Sequence, residues 1–599
     1  MKIISHMLSE QTETFASLFQ HHERTFEIPV YQRAYSWGEV EINQFLTDLR
    51  DVQGSYYLGH YLFEQGKQSD SSHLYVIDGQ QRLTTCIIFF SALCKELVAR
   101  KNTAKETIDT IRDTYLFDPN EGTQKLRTVA NDNDFFREEI LLQEDARLQV
   151  IDTASKKRIR AAYKLIEKVV NDKTVQTSEL ERWAKLVQEA TVTHLIVTSK
   201  TRAAQIFAFQ NDRGKSLNNL EILKSYFMLQ ILLSNQSQGS IDDYIRSVER
   251  DFTVIYTRLE QVKELGEDEV LAYFWRSTTK DPYSNEPAVA GIKQKIRDCP
   301  ATERVRWIQN FVKGLAQAFT FVQEIEQEVY EHALELRNLN RMALAYPLLL
   351  RAYRDGIDRP TKERLFKFLE NITFRHLLRG GRADISSRFR HHFFSKGVQL
   401  TNKELNLAID EFKGMLKRGD DWGWQWNDHT VREQLNSNFY GNNVDNYLLW
   451  KYELFISPKD YKRPPSVDYK QLMSNESIEH IAPQTPEYDD EDMHLANYGV
   501  YDHNASPSEG IRSGNWLNRL GNLMLMSQSQ NSRIGNRSFN KKFGDIQRES
   551  VLQQHQKLKD FLAFDSDGNL IVVWDKAAIE RRHNHIIEAA LEIWNLDNI

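Results

Sequence analysis

Residues 477–484 read Ser477-Ile478-Glu479-His480-Ile481-Ala482-Pro483-Gln484. In an extended segment successive side chains alternate, so Glu479 and His480 fall on opposite faces of a strand or its end. Pro483, which has no N–H, ends that segment. Downstream come Leu520-Gly521-Asn522-Leu523 and Gln530-Asn531-Ser532-Arg533, then Lys541-Lys542 ahead of Phe543. Between them, 484–502 carries Glu487, Asp489, Asp490, Glu491, Asp492 and Asp502 with no lysine or arginine, which reads as a surface loop. The stretch 511–548 reverses the sign: Arg512, Arg519, Arg533, Arg537, Lys541, Lys542 and Arg548 stand against Asp545 alone.

A Glu-His pair is common by chance, and the combination is more telling. Hydrolysis of a phosphodiester needs a base to activate water and a cation to stabilise charge on the phosphate. His480 suits the base, since its ordinary pKa lies near neutral pH. The carboxylate of Glu479 and the amide oxygen of Asn531 are hard donors that suit magnesium or manganese. Arg533, Arg537, Lys541 and Lys542 can grip backbone phosphate beside them. The stretch therefore reads as a one-metal nuclease site.

The whole chain has 599 residues, of which 41% are hydrophobic and 27% charged, an ordinary globular balance spread over three or four domains by length. Its 77 basic and 84 acidic residues leave a net charge of −7, so DNA contact has to come from local basic patches. Cys86, Cys94 and Cys299 form no Cys-x-x-Cys, against a disulfide framework or a cysteine zinc site and in keeping with a reducing cytosol. No signal peptide is expected at 1–11, and apolar runs such as 86–90 are too short to span a bilayer, so the expected location is cytoplasmic, with no membrane partner.

Toward the N-terminus, 26–90 reads as mixed α/β: extended at 26–31, helical at 40–52, strands at 56–63 and 73–77, and a helix from Leu83 to about Ala99. Asp78-Gly79-Gln80-Gln81-Arg82 joins that last strand to the helix. A glycine permits the tight turn, and free N–H groups at a helix N-terminus favour an anion. Arg82 can add a bidentate phosphate contact, and Asp78 can hold a metal-bound water or a ribose hydroxyl. The bland alternative is a turn whose polar side chains cap the helix. Gln32 and Arg33 sit upstream among Tyr31, Tyr35 and Trp37. Asn211-Asp212-Arg213-Gly214 precedes a helix expected over 219–233 that carries Lys224. Gly214-Lys215-Ser216 is not a P-loop, because the position that must hold the first glycine is Phe209.

Residues 100–190 look mostly helical, and 194–198 a short strand. From 235 to 455 apolar residues recur at three- and four-residue spacing, with helices expected over 254–265, 304–330, 339–354, 362–378, 404–417 and 431–455. Arg375, Arg379, Arg382, Arg388 and Arg390 cluster here against Asp384, either as a solvated face or as a contact to DNA or another domain. Pro464-Pro465 marks a linker.

The C-terminal motifs resemble the HNH, or His-Me finger, nucleases with a ββα-metal core. That resemblance implies His480 as general base, Glu479 and Asn531 as ligands of one magnesium or manganese ion, and Asn522 as the residue supporting the catalytic loop. The stretches 28–37, 78–82 and 211–214 resemble the partner module of GmrSD-type, modification-dependent (type IV) restriction endonucleases, which has a ParB/sulfiredoxin-like fold. This implies an NTP, either GTP or ATP, held by Gln32, Arg33, Asp78, Gly79, Gln80, Gln81, Arg82, Asn211, Arg213 and Lys224, with NTPase activity. The expected fold is α+β and multidomain: an NTP-binding module at 1–234 with a helical insertion at about 100–190, an all-helical middle at 235–456, and a nuclease domain at 457–599. The implied function is a nucleotide-regulated, metal-dependent endonuclease of anti-phage defence acting on modified double-stranded phage DNA. One base per chain cuts one strand, and a homodimer would cut both. Two alternatives stand beside it: a nickase sensing phosphorothioate-modified DNA, and a DNA-binding regulator with a decayed nuclease.

Overall fold

The computed structural model describes residues 11–20, 24–65, 72–101, 105–143, 151–197, 218–234, 238–279, 287–381, 385–394, 399–458, 476–484, 516–549 and 552–599. They fall into two compact units, Met1–Arg276 with Glu286–Glu326 and Ser277–Asn285 with Gln327–Ile599. The fold is α+β, with a sheet in the first unit and helices dominating both. No helix among the described residues is long and apolar enough to cross a membrane.

The first unit is built on a six-stranded mixed sheet: β1 (Gln11–Thr14), β2 (Thr25–Glu27), β3 (Tyr57–Gln65), β4 (His73–Asp78), β5 (Leu126–Arg127) and β6 (Thr191–Val197), in the order β1-β6-β3-β4-β2-β5. Strand β3 is central, antiparallel to β4 and parallel to β6. Its Tyr61, Leu62 and Phe63 are all buried, so both faces of the sheet are covered. The helix Gln80–Arg100 follows β4 at once. Its middle, Ile87-Ile88-Phe89-Phe90, is apolar all round because helices Lys105–Tyr115, Ala154–Val170 and Thr177–Gln188 enclose it. Gly79 adopts φ 88°, and a Cβ there would run into the Tyr61 ring, so the turn needs glycine on both counts. The unit does not stop at 234. Phe227 packs edge-on against Phe311, and the Lys224 ammonium lies 5.6 Å from the Phe252 ring, which draws the helices Gln238–Leu259 and Ala301–Gln327 into it.

The second unit holds helices from Glu331 onward and a hairpin, β7 (Glu476–His480) antiparallel to β8 (Leu523–Ser527). Two expected helices are broken. The 339–354 segment is a short 3-10 turn and then Tyr346–Arg354, because Asn340 takes φ 51° and Pro347 starts a new helix. The 431–455 segment is Asp428–Leu435 and Asp445–Ile456, separated by Gly441 at φ 80°.

The boundary expected at 456/457 is not a structural one. Glu453 accepts from Gln553 N at 2.6 Å and Gln554 N at 2.8 Å, and Phe439 N donates to Asn518 O at 2.8 Å. The hairpin and the helices before it therefore share one unit. Within it Arg375 is a brace: fully buried, it donates to Asn371 Oδ1, Trp426 O, Asp428 Oδ1 and Trp594 O at 2.5–2.9 Å. That excludes a solvated or DNA-facing Arg375 and agrees with the other expectation for it, a contact to the segment 457–599, through Trp594. Arg379 bonds Gln425 and lies over Trp424, and Arg388 lies over Trp422, while Arg382 and Asp384 fall outside the described residues.

Candidate functional site

Glu479 and His480 are the last two residues of β7, opposite Met524 and Leu523 of β8. A short helix, Gln528–Ile534, capped by the Ser527 hydroxyl, follows β8 and packs on the hairpin. It carries Asn531 and places it on the same strand–strand–helix element as Glu479 and His480.

His480 is 5% exposed, and the Tyr440 ring stands edge-on 4.6 Å away. Its Nε2 lies 3.0 Å from Asn518 Oδ1 and 3.2 Å from Gln484 Nε2. Nε2 can donate to the first or accept from the second, not both. The shorter contact puts the proton on Nε2 and leaves Nδ1 as the basic nitrogen. Burial pushes the imidazole pKa down to about 4, with Lys542 adding to the fall and Asn518 opposing it. The ring is therefore neutral at pH 7, as a base must be.

Asn522, grouped with the catalytic residues from sequence, is 0% exposed and hydrogen-bonds to backbone: it accepts from Ala482 N at 2.7 Å and donates to Ala482 O at 3.1 Å and Leu517 O at 2.9 Å. It is a positioning residue that pins the turn after His480. Its neighbour Gly521 is required by close approach, since a Cβ would collide with Ile579 O and crowd the His583 backbone N at 2.9 Å. Arg582, which sequence reading missed, is buried beneath this segment and donates to the carbonyls of Leu520, Gly521 and Leu523 at 2.7–3.1 Å. Its only sequence signal is an arginine among Ala578, Ile579, Ile586 and Ala590 on the apolar face of the helix Lys576–Ile593.

Lys542 overturns one expectation. It is 0% exposed, and its Nζ donates to Glu479 Oε1 at 2.7 Å and to His480 O at 2.9 Å. It cannot meet DNA phosphate; it holds the two key residues in place. Burial lowers its pKa, and Glu479 opposes that fall. Arg537 is half-buried and paired with Asp545 at 3.0 Å, whereas Arg533 and Lys541 are exposed. Among the described residues no three His, Cys, Asp or Glu side chains cluster as a metal site. The carboxylate of Glu479 and the amide of Asn531, on the adjoining helix, are hard oxygen donors of the kind that could hold one magnesium or manganese ion.

In the first unit the turn residues are largely engaged with one another. Gln32 donates to Ile77 O at 3.1 Å, and Gln81 bridges Ser36 N and Ala34 O at 2.9 and 3.3 Å. Arg82 donates to His60 O at 2.6 Å and lies over the Tyr61 ring. Asp78 Oδ1 accepts from Gly79 N, and Arg33 pairs with Glu267 at 3.3 Å. Lys224 is buried, donates to Tyr31 O at 2.7 Å and is ringed by Tyr31, Phe252 and Tyr256; burial lowers its pKa to about 8. It supports the 28–36 segment from behind instead of facing an anion. The helix Gln80–Arg100 has no side-chain cap at its start, so its first N–H groups are not taken by a capping side chain. Asn211 and Arg213 lie outside the described residues.

Residues 15–228 match the family model of the GmrSD restriction endonuclease N-terminal domain, and 424–589 match that of the GmrSD restriction endonuclease C-terminal domain. No curated protein matches the chain. The second match begins among the helices before the hairpin, in line with the single unit seen there. With both domains present in one polypeptide and together covering more than half of it, the chain belongs to the GmrSD restriction endonucleases.

Proposed function

We propose that this restriction endonuclease is nucleotide-regulated and metal-dependent, and that it cuts or nicks modified foreign DNA in the cytoplasm as anti-phage defence. The observation that carries the nuclease half is the neutral, buried His480 beside Glu479, both held by Lys542. His480 takes the proton of the attacking water on Nδ1, while Asn518 keeps the ring oriented through Nε2. Asn522 and Arg582 hold the turn so that His480 and Glu479 keep their spacing. A magnesium ion, when bound by Glu479 and Asn531, would supply the charge that stabilises the phosphate and the leaving oxygen. Arg533 and Lys541 meet the neighbouring phosphates. A monomer with one such site nicks, and a homodimer cuts both strands.

The nucleotide half rests on the Asp78-Gly79-Gln80-Gln81-Arg82 turn at the start of the helix Gln80–Arg100, whose N-cap Gly79 offers no side-chain cap, so that a phosphate would meet the helix N-terminus beside Arg33. The test is to incubate the protein with magnesium, with and without GTP or ATP, on modified and unmodified phage DNA. Cutting of modified DNA alone, dependent on the nucleotide, supports the reading. Equal cutting of both substrates, or cutting indifferent to nucleotide, refutes it.

A further inference from the structure

In the second unit Trp516 gathers two cations. The Arg519 guanidinium lies over its ring at 4.3 Å from the centroid and the Lys576 ammonium at 5.9 Å. Two like charges on one indole call for an anion. Although the chain carries a net charge of −7, neither cation has an acidic partner among the described residues. Asp575, next to Lys576 in the chain, is turned to the start of its helix, where it accepts from Ala578 N at 2.8 Å. Other arginines of this unit are spent: Arg375 and Arg582 on carbonyls, Arg432 on Glu588, Arg537 and Arg548 on Asp545. Arg519 differs from them. Stacking occupies the face of its guanidinium and leaves the in-plane N–H groups, the edge that grips a phosphate through two bonds. Its Nε is buried and has no partner. A water can meet one such N–H, but it does not neutralise two cations.

The patch lies beside the cut. Arg519 follows Asn518, whose Oδ1 is 3.0 Å from His480 Nε2 and whose carbonyl accepts from Phe439 N and Tyr440 N. Neighbouring residues sit about 3.8 Å apart, and the charges of one DNA strand recur about every 3.4 Å along the axis. We infer that Arg519 and Lys576, gathered on Trp516, form a phosphate clamp for the DNA strand being cut, at the His480 end of the hairpin. The inference rests on His480 as the base of that cut. It adds Trp516 and Lys576, which no sequence motif marked.

The test is a methylphosphonate scan. Single neutral linkages replace phosphates one at a time across the cut position of a synthetic duplex carrying the phage modification. Binding is measured without metal, so the duplex stays intact, for the full-length wild type, Arg519→Met and Lys576→Ala. The wild type is expected to lose about tenfold in affinity at a position within about three phosphates of the cut, the worth of one charged hydrogen bond. Arg519→Met loses the same factor on the unsubstituted duplex and loses nothing further at that position. Lys576→Ala, an exposed change that leaves folding intact, lowers the salt slope of binding by about 1. The clamp is overturned if wild type and Arg519→Met respond alike at every position, or if both variants bind as the wild type does. Tighter binding by either variant overturns it too, since the cations would then serve an acidic partner other than DNA. A wild type that shows the binding pattern but cuts nothing in magnesium and nucleotide refutes the nuclease reading and leaves the clamp standing. Absence of DNA binding overturns both.

Discussion

Lys542 Nζ donates to Glu479 Oε1 at 2.7 Å, with the lysine wholly inside the second unit. Removing one partner of a buried ion pair strands the other charge, at a cost of about 3–5 kcal/mol, whereas removing both is far milder. Lys542→Met is therefore expected to destabilise the second unit by that order. Lys542→Met with Glu479→Gln together should recover more than half of it. Denaturant unfolding of the four proteins in a double-mutant cycle measures this, and strict additivity would show the pair to be uncoupled.

The exposed cations behave differently. Arg533→Ala and Lys541→Ala are each expected to weaken DNA binding evenly across sequences and to lower the slope of log K against log salt by about 1 per phosphate contact. Melting temperature should stay put. A titration of binding against salt checks both, and an unchanged slope would remove these residues from the interface.

Gly521→Ala places a methyl group against Ile579 O and the His583 backbone. Arg582→Met leaves the carbonyls of Leu520, Gly521 and Leu523 without their buried donor. Each is expected to lower stability by about 2–4 kcal/mol and to reduce cutting through displacement of the Asn522 turn. Thermal melts and cutting assays should move together.

Burial holds His480, His555 and His583 at about 4, against 6.5 for a free imidazole. Between those values the unfolded chain binds protons that the folded chain does not. Stability is thus fully present above pH 6.5 and is lost as pH falls toward 4, by up to about 1.4 kcal/mol per pH unit per histidine. Melting temperatures from pH 7 to 4.5 test the sign. His555→Gln, which removes one of the three, should flatten the slope.

The strand–turn–helix around Gly79 was legible because a short apolar strand, a glycine and an apolar helix follow one another within a few residues. Glu479, His480 and Asn531 could be grouped from sequence because a short hairpin and the helix after it carry all three. The domain boundary near 456 was not, because what fuses the hairpin to the helices is long-range: Glu453 to Gln553 and Gln554, and Phe439 to Asn518. Lys542 was read as a surface cation, and Arg375 was left open between solvent, DNA and a domain contact, because charge alone cannot show that a buried acid or a set of carbonyls awaits it.

The central claim is that His480 is the base of a metal-dependent cut controlled from the first unit. Cleavage of modified phage DNA by His480→Ala, with magnesium and nucleotide present, tests it most directly. The expected result is loss of cutting by at least about a hundredfold, with the protein still folded and nucleotide binding unchanged. Cutting by His480→Ala at the wild-type rate would contradict it.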